Sequence, residues 1–409
     1  MIMIGKKRLS IVFCLLKCIA AEFENNVCPS LWDYPTMKDN SNCWYDFAAE
    51  AKVPDIIKKT GYPFQQYKVQ TIDGYILTLF RIPSLNARKE AVFMLHGIQS
   101  TSAIFVGLGK NSLAFLLADA GYDVWLGNYR GTEYSEEHIK FNITDRKFWD
   151  YGADEIGLID VPTMLNTVQH YSEAARKIVK LFVFLSPAYK LNSIPSPYRM
   201  FFPLLKPFLR ITSSLNVVQI LSRGYSRRLT KPTCLASTAL MLVCLHAVNL
   251  YLGPFNQMAP ETIPVYFNQL PGGTSLKTLT YVTEAAKGKF LKYDYGRGRN
   301  MIKYGSPDPP EYNITNIKVP IVIYYARNDW ATPKKDAINL YKTLPKKIRY
   351  GLYEVAAENF NHFDFLFGRN VKNLLYDHLL KLLERVSQSN ILLPESKSGE
   401  VISPKSTKN

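Results

Sequence analysis

The sequence predicts an α/β protein whose sheet is interrupted by a long helical insertion. Three observations carry this. From Gly61 onward, short and continuously apolar runs alternate with helix-like stretches, the pattern of strands buried on both faces of a sheet. That rhythm stops between Lys190 and Asn316, an aromatic, Pro-punctuated and helix-prone stretch, and resumes at Ile321. The composition is that of a globular chain: 409 residues, 47% hydrophobic and 21% charged, which excludes a collagen, a disordered chain and a small disulfide scaffold. The length fits either two or three structural units or one large α/β domain carrying insertions.

Taken in order, residues 1–21 read as a secretory signal peptide. Lys6, Lys7 and Arg8 precede an apolar run from Ile11, and Ala20 and Ala21 offer a cleavage site. Its removal, with Lys17, lowers the net charge from +16 to +12 and leaves four of six cysteines. These form two local pairs, Cys28 with Cys43 and Cys234 with Cys244, as expected of disulfides in an oxidising compartment. No Cys/His spacing suggests a metal, and no cofactor is expected. An N-terminal segment, 22–60, leads into the first part of the core, 61–189.

Within that core, Tyr67–Gln70 and Tyr75–Arg81 flank the turn signal Asp73-Gly74 and predict a hairpin. Ala91–Leu95 predicts a buried strand, Leu113–Ala120 a helix stopped by Gly121, and Tyr122–Leu126 the next strand. Ile156–His170 is amphipathic and helical, and Val179–Leu185 is another strand candidate. The insertion, 190–316, reads as a cap. The second part of the core, 317–386, opens with the strand Ile321–Tyr325, and 387–409 reads as a disordered tail. Leu235–Leu252 just reaches spanning length, but Ser237, Thr238, His246 and Asn249 interrupt it, so a partly buried or lipid-facing helix is expected rather than a transmembrane anchor. Asn142-Ile-Thr144 and Asn313-Ile-Thr315 are sequons that agree with secretory passage. The basic balance alone fits nucleic acid, an anionic membrane surface or acidic partners. No nucleic-acid motif or long basic run accompanies it, which places that class last.

Three local texts carry chemistry. Leu95-His96-Gly97-Ile98 ends a buried strand, where backbone N–H groups can face a developing oxyanion. Asp329 in Tyr324–Trp330 sits just past a strand, where a carboxylate can orient a histidine. His362 follows in the aromatic text Asn361–Phe365, in the Asp-then-His order of an α/β-hydrolase triad. Taken alone, the first text is by default a turn without function, the carboxylate is more often a helix cap or loop residue, and the histidine is more often structural.

Together with their neighbours these texts resemble the acid lipase family, the gastric and lysosomal acid lipase group. The blocks Gly61–Pro83, Val92–Phe105, Gly121–His138, Phe148–Leu165, Lys292–Gly296, Val319–Trp330 and Phe360–Gly368 occur in family order and cover nearly the whole mature chain. The resemblance implies an α/β-hydrolase fold with a helical cap and lid over the site. It implies Asp329 and His362 as the charge-relay pair, Ile98 as an oxyanion-hole N–H, and Cys234–Cys244 as the cap disulfide. The implied reaction is hydrolysis of lipid carboxylic esters, of the triacylglycerol or cholesteryl ester class, in a secreted or lysosomal protein acting at a lipid surface.

One piece is missing. A serine hydrolase places its nucleophile on a strand-to-helix elbow, G-x-S-x-G, and no serine here has that context. Gly224-Tyr225-Ser226 and Gly273-Thr274-Ser275 lack the final glycine and a preceding buried strand. Ser172 joins two helical stretches, and Ser186 is followed by Pro187, which has no N–H to offer an oxyanion. The resemblance implies a gap of about 25–30 residues after His170, roughly one strand–turn–helix unit. The expectation is an α/β-hydrolase lacking its central elbow strand and inactive as written, through a truncated isoform or gene model. The alternative is a pseudoenzyme that binds lipid without cleaving it. The open sheet is expected either to close, by inward movement of Val179–Leu185, or to leave strand edges unpaired.

Overall fold

The computed structural model describes residues 24–388 and 400–402, apart from 85–89, 174, 176–178, 255–256 and all but seven scattered positions of 196–232. The segment read as a signal peptide, 1–21, lies outside the described residues. The N-terminal segment is closed by the Cys28–Cys43 disulfide and leads into α1, Val53–Lys59. Next come the antiparallel strands β1, Gln65–Gln70, and β2, Tyr75–Ile82. Their turn holds Gly74 at φ +99°, a left-handed backbone that favours glycine. Strand β3, Ala91–Leu95, is followed by α2, Leu113–Asp119, and β4, Asp123–Asn128, which lies parallel to β3. This crossover is the strand–helix–strand unit anticipated from the apolar runs. A two-residue strand β5, Glu137–His138, adds to β2.

The turn of the hairpin is pinned from below by a buried charge cluster. The Arg130 guanidinium, fully enclosed, donates to Asp73 at 2.6 Å and to Asp160 at 2.7 Å, and stacks over the Tyr75 ring at 4.0 Å. Asp160 ends a π-helical turn, Ile156–Asp160, that runs into α3, Val161–Tyr171. The cluster therefore ties the first hairpin to the start of a helix on the sheet's face.

The β-structure falls into two sheets. The first has the order β1-β2-β4-β3, with β5 beside β2. The second has the order β6-β7-β8-β9: β6 is Phe182–Leu185, β7 is Ile321–Ala326, β8 is Arg349–Val355 and β9 is Glu400–Ile402. All pairings in the second sheet are parallel. Strand β6 begins three residues later than the apolar run at Val179 and pairs with β7, not with β3. The expected inward closure by Val179–Leu185 is thus not what the chain does: β3 and β6 each remain a terminal strand. An ion pair of 2.6 Å between Glu90 and Lys180, just before β3 and β6, holds the N-terminal ends of these two strands together. The tail read as disordered also departs from expectation, since Glu400–Ile402 forms β9 on the edge of β8.

Between β6 and β7 lies the cap, with α4, Thr238–Leu252, α5, Ile263–Gln269, α6, Leu276–Ala285, and α7, Arg297–Tyr304. Helix α8, Lys334–Thr343, connects β7 to β8, and α9, Asp364–Phe367, and α10, Asp377–Gln388, follow. The two faces of the sheets are packed differently. On one face a single core joins both sheets, with Phe80, Val124 and Leu126 sharing contacts with Val322, Tyr353 and Val355 under α2 and α10. On the other face there are two separate cores. One gathers Leu77, Trp125 and Met164 under α3, and the other Ile321, Ile323 and Leu340 under α8.

Candidate active site

The C-terminal ends of the parallel strands bring the sequence-predicted residues to one edge, as open α/β sheets do. Asp329 follows β7 and is fully enclosed, and His362 follows β8 with its side chain 32% exposed. His362 Nδ1 and Asp329 Oδ2 are 2.8 Å apart. Asp329 accepts further hydrogen bonds from Thr332 N at 2.7 Å, from Thr332 Oγ1 at 2.9 Å, and from Ser186 Oγ. The bond from Thr332 N closes a turn three residues after the carboxylate, so a D-x-x-T text fixes Asp329 locally. Burial disfavours the charged form of His362, but the Asp329 carboxylate and their hydrogen bond outweigh it and leave the imidazole pKa above its ordinary value. With Nδ1 bound to the carboxylate, the nitrogen left to exchange a proton with a reacting group is Nε2.

Asp364, two residues beyond His362, is also buried. Its Oδ2 accepts from Asn361 N at 2.8 Å, while Oδ1 has no hydrogen-bond partner among the described residues. Burial raises its pKa to about 7, the Asn361 N–H opposes the rise, and the nearby Asp329 charge adds to it.

The predicted oxyanion text forms a loop after β3. The His96 ring is buried, with Nδ1 2.9 Å from Gly97 O, and burial lowers its pKa to about 4, so it is neutral at ordinary pH. Its Nε2 has no partner among the described residues. Tyr129 OH donates to Gly97 O at 2.8 Å, and Gln99 sits at φ +59°. From the cap, Gly272 N donates to Gln99 O at 2.6 Å. A Cβ on Gly272 would lie 2.3 Å from Ser100 O, so only glycine allows this approach. No hydrogen bond among the described residues links the Ile98 N–H to the Asp329–His362 pair.

The serines separate clearly. Ser172 is buried at the opposite end of the sheet, where its Oγ bonds the Asp123 carboxylate at the start of β4. Ser275 is the N-cap of α6, accepting from Thr278 N and bonding Tyr151 O. Ser226 lies outside the described residues. Ser186, at the end of β6, has a left-handed backbone with φ +52°, and its Oγ bonds Asp329 and Thr332. It therefore stands on the Nδ1 side of His362, with its hydroxyl turned to the carboxylate. No sequence signal other than its strand-end position marked this contact.

The cap reaches the pair directly. Trp330 N donates to Leu252 O at 3.2 Å, Asn361 Nδ2 to Gly253 O at 2.8 Å, and Asn328 Nδ2 to Pro254 O at 2.7 Å. The end of α4 is thus sewn to both loops that carry Asp329 and His362. The Cys234–Cys244 disulfide ties the chain just before this helix to its middle. Asn142 and Asn313 are exposed. Among the described residues no group of three or more His, Cys, Asp or Glu could hold a metal ion. None of their helices is long and apolar enough to cross a membrane.

A family model described as the partial alpha/beta-hydrolase lipase region matches residues 53–109. Lipase 1 of Drosophila melanogaster is 33% identical over 365 residues, covering 83% of this chain and 81% of that protein. Gastric triacylglycerol lipase of Bos taurus is 29% identical, covering 82% of this chain and 91% of its own length. A protein of Crotalus adamanteus named as a putative lysosomal acid lipase/cholesteryl ester hydrolase is 28% identical over 83% of this chain and 92% of its own.

Proposed function

The chain belongs to the acid lipase family, the gastric and lysosomal lipase group, and from that premise we propose that it is a lipid-ester hydrolase scaffold of the secretory or lysosomal pathway without its nucleophile, inactive as written. Its relatives' names point to triacylglycerol or cholesteryl ester as the substrate class. In such chemistry a serine oxygen attacks the ester carbonyl, His362 Nε2 takes the serine proton and returns it to the leaving alcohol, and Asp329 holds the imidazole. The Ile98 N–H would contribute to the oxyanion hole. Asp329 and His362 stand within hydrogen-bond distance of one another, and among the described residues no hydroxyl is hydrogen-bonded to His362 Nε2.

The observation that carries the reading is the break between β3 and β6. Both strands run parallel to their neighbours, both end at the site, and each is the last strand of its sheet. A strand inserted there would make the sheet continuous and would end between the His96-Gly97 loop and His362. A helix following that strand would fill the face on which the two cores stand apart.

The intact Asp329–His362 pair favours a skipped coding segment over long-standing loss of function. The transcript across His170–Ala174 distinguishes the two by the presence or absence of a frame-preserving segment. The activity test is direct. The purified chain should show no serine labelling by a fluorophosphonate and no ester turnover. Splicing in the corresponding strand–elbow–helix of a relative should restore both, and His362→Ala should abolish the restored turnover. Labelling of the unmodified chain at a serine, with turnover lost in His362→Ala, would overturn the reading.

A further inference from the structure

We propose that Ser186 is a positioning residue of the site: from the end of β6 its hydroxyl grips the Asp329 carboxylate and disperses part of the charge that His362 feels, holding down the basicity of the imidazole. The inference starts from an uncommon backbone. Among the described residues only two that carry a Cβ have a positive φ, Gln99 in the loop after β3 and Ser186 at +52°. A residue with a side chain enters the left-handed region at a cost, and it stays there when its surroundings fix it. The sheet fixes Ser186 on one side: its N donates to Tyr324 O at 2.9 Å and carries the bonding to β7 one residue past β6. Its hydroxyl fixes it on the other, through bonds to Asp329 Oδ2 and Thr332 Oγ1.

The number of protons available defines what that hydroxyl does. Ser186, Thr332 and Asp329 are all buried, so their polar atoms have to satisfy one another. Asp329 Oδ1 accepts from Thr332 N at 2.7 Å. Oδ2 is approached by His362 Nδ1 at 2.8 Å, by Thr332 Oγ1 at 2.9 Å and by Ser186 Oγ. Each hydroxyl has a single hydrogen, and Oδ2 has two lone pairs, one of them facing Nδ1. One hydroxyl therefore donates to Oδ2 and the other donates to that hydroxyl. In either order Ser186 belongs to the chain that ends on Oδ2, as the direct donor or as the donor that polarises Thr332.

A hydrogen bond to a carboxylate disperses its charge, and the imidazolium beside it is then stabilised less. Burial acts on His362 in the same sense as the hydroxyl, and the Asp329 charge in the opposite one. The other ionisable groups near the pair are Asp364, on the His362 loop, and Tyr251, on α4 of the cap. Both are present in every variant compared below. A general base accepts a proton only while it is neutral, so lower basicity extends the range in which His362 can act toward acid. This deepens the reading of Asp329 and His362 as a charge-relay pair and rests on it. A titration needs no nucleophile, however, so the role of Ser186 can fail while that reading stands.

The test is NMR titration of the His362 ring protons in the full chain, the resonances being those lost in His362→Gln. Ser186→Ala removes the hydroxyl, and Ser186→Gly removes it while also relieving the left-handed backbone. In both, the His362 midpoint should rise by about 0.5 pH unit or more. Ser186→Gly added to Asp329→Asn should leave the midpoint where Asp329→Asn alone puts it, because the hydroxyl acts through the carboxylate. A midpoint unmoved or lowered by both serine substitutions would overturn the proposal. So would a rise in Ser186→Ala that Ser186→Gly lacks, which assigns the effect to the backbone, or an equal rise in the absence of the Asp329 charge.

Discussion

Substituting Asp364 by Asn isolates one ionisation beside the site. In the folded chain burial raises this carboxyl from 3.8 to about 7, against the Asn361 N–H and with Asp329 adding to the rise. The unfolded chain keeps the ordinary value. The folded state is thus fully favoured with respect to this group below pH 3.8, and it loses stability as pH rises toward 7, because the unfolded chain ionises first. The interval corresponds to about 4 kcal/mol in total, of which about 2–3 kcal/mol falls between pH 5.0 and pH 7.5. Asn imitates the protonated acid, and its carbonyl can keep the bond from Asn361 N. His362 has a raised value too, so its stabilisation is likewise lost as pH rises through that value. That contribution is common to both proteins and cancels in the comparison. Urea unfolding at pH 5.0 and 7.5 should show the parent losing about 2–3 kcal/mol more than D364N across this window. Equal pH slopes in the two proteins would refute the claim that Asp364 is held protonated by its surroundings.

Other expectations follow from the same geometry. Asp329→Asn removes the charge that sustains the imidazolium, so His362 should titrate at a lower pH than in the parent, read by NMR of the ring protons. Arg130→Met leaves Asp160 as a buried unpaired charge and should cost about 3–5 kcal/mol in urea unfolding, far more than loss of an exposed pair such as Lys38–Glu24. Gly272→Ala forces the cap away from Ser100 O and should destabilise by about 1–3 kcal/mol, with faster amide exchange in the Gln99–Thr101 loop.

How much of this was legible depends on where the determining contacts lie. Strands β3, β4 and β7 are continuous apolar runs, and their positions follow from local text. Strand β8 was not anticipated. Arg349 opens it and Glu354 lies within it, so it does not read as an apolar run. Glu354 is tolerated because Arg327, Lys334 and Tyr325 surround it at 2.8, 2.6 and 3.1 Å, contacts made by residues more than nineteen positions away. Asp329 and His362 could be nominated from their order in the chain and from the resemblance of the blocks around them, although the strand that carries His362 to the edge left no apolar run to read. Thr332 carried a readable turn signal, whereas the Ser186 contact depends on β6 lying beside β7 and has no local trace. The β9 pairing likewise came from an otherwise polar tail whose own composition does not demand a strand.

The Glu90–Lys180 pair joins the feet of β3 and β6 while their upper ends share no ladder bonds. Such a pairing acts as a pivot. Small rotations of one half-sheet against the other, cheap at the foot, grow into larger separations at the rim that carries His96 and His362. With a continuous core on only one face, the halves need not melt together, and native-state hydrogen exchange should resolve two protection levels in place of one. A missing central strand would then remove more than a reactive group: it would remove the member that makes the two halves of the molecule one cooperative body.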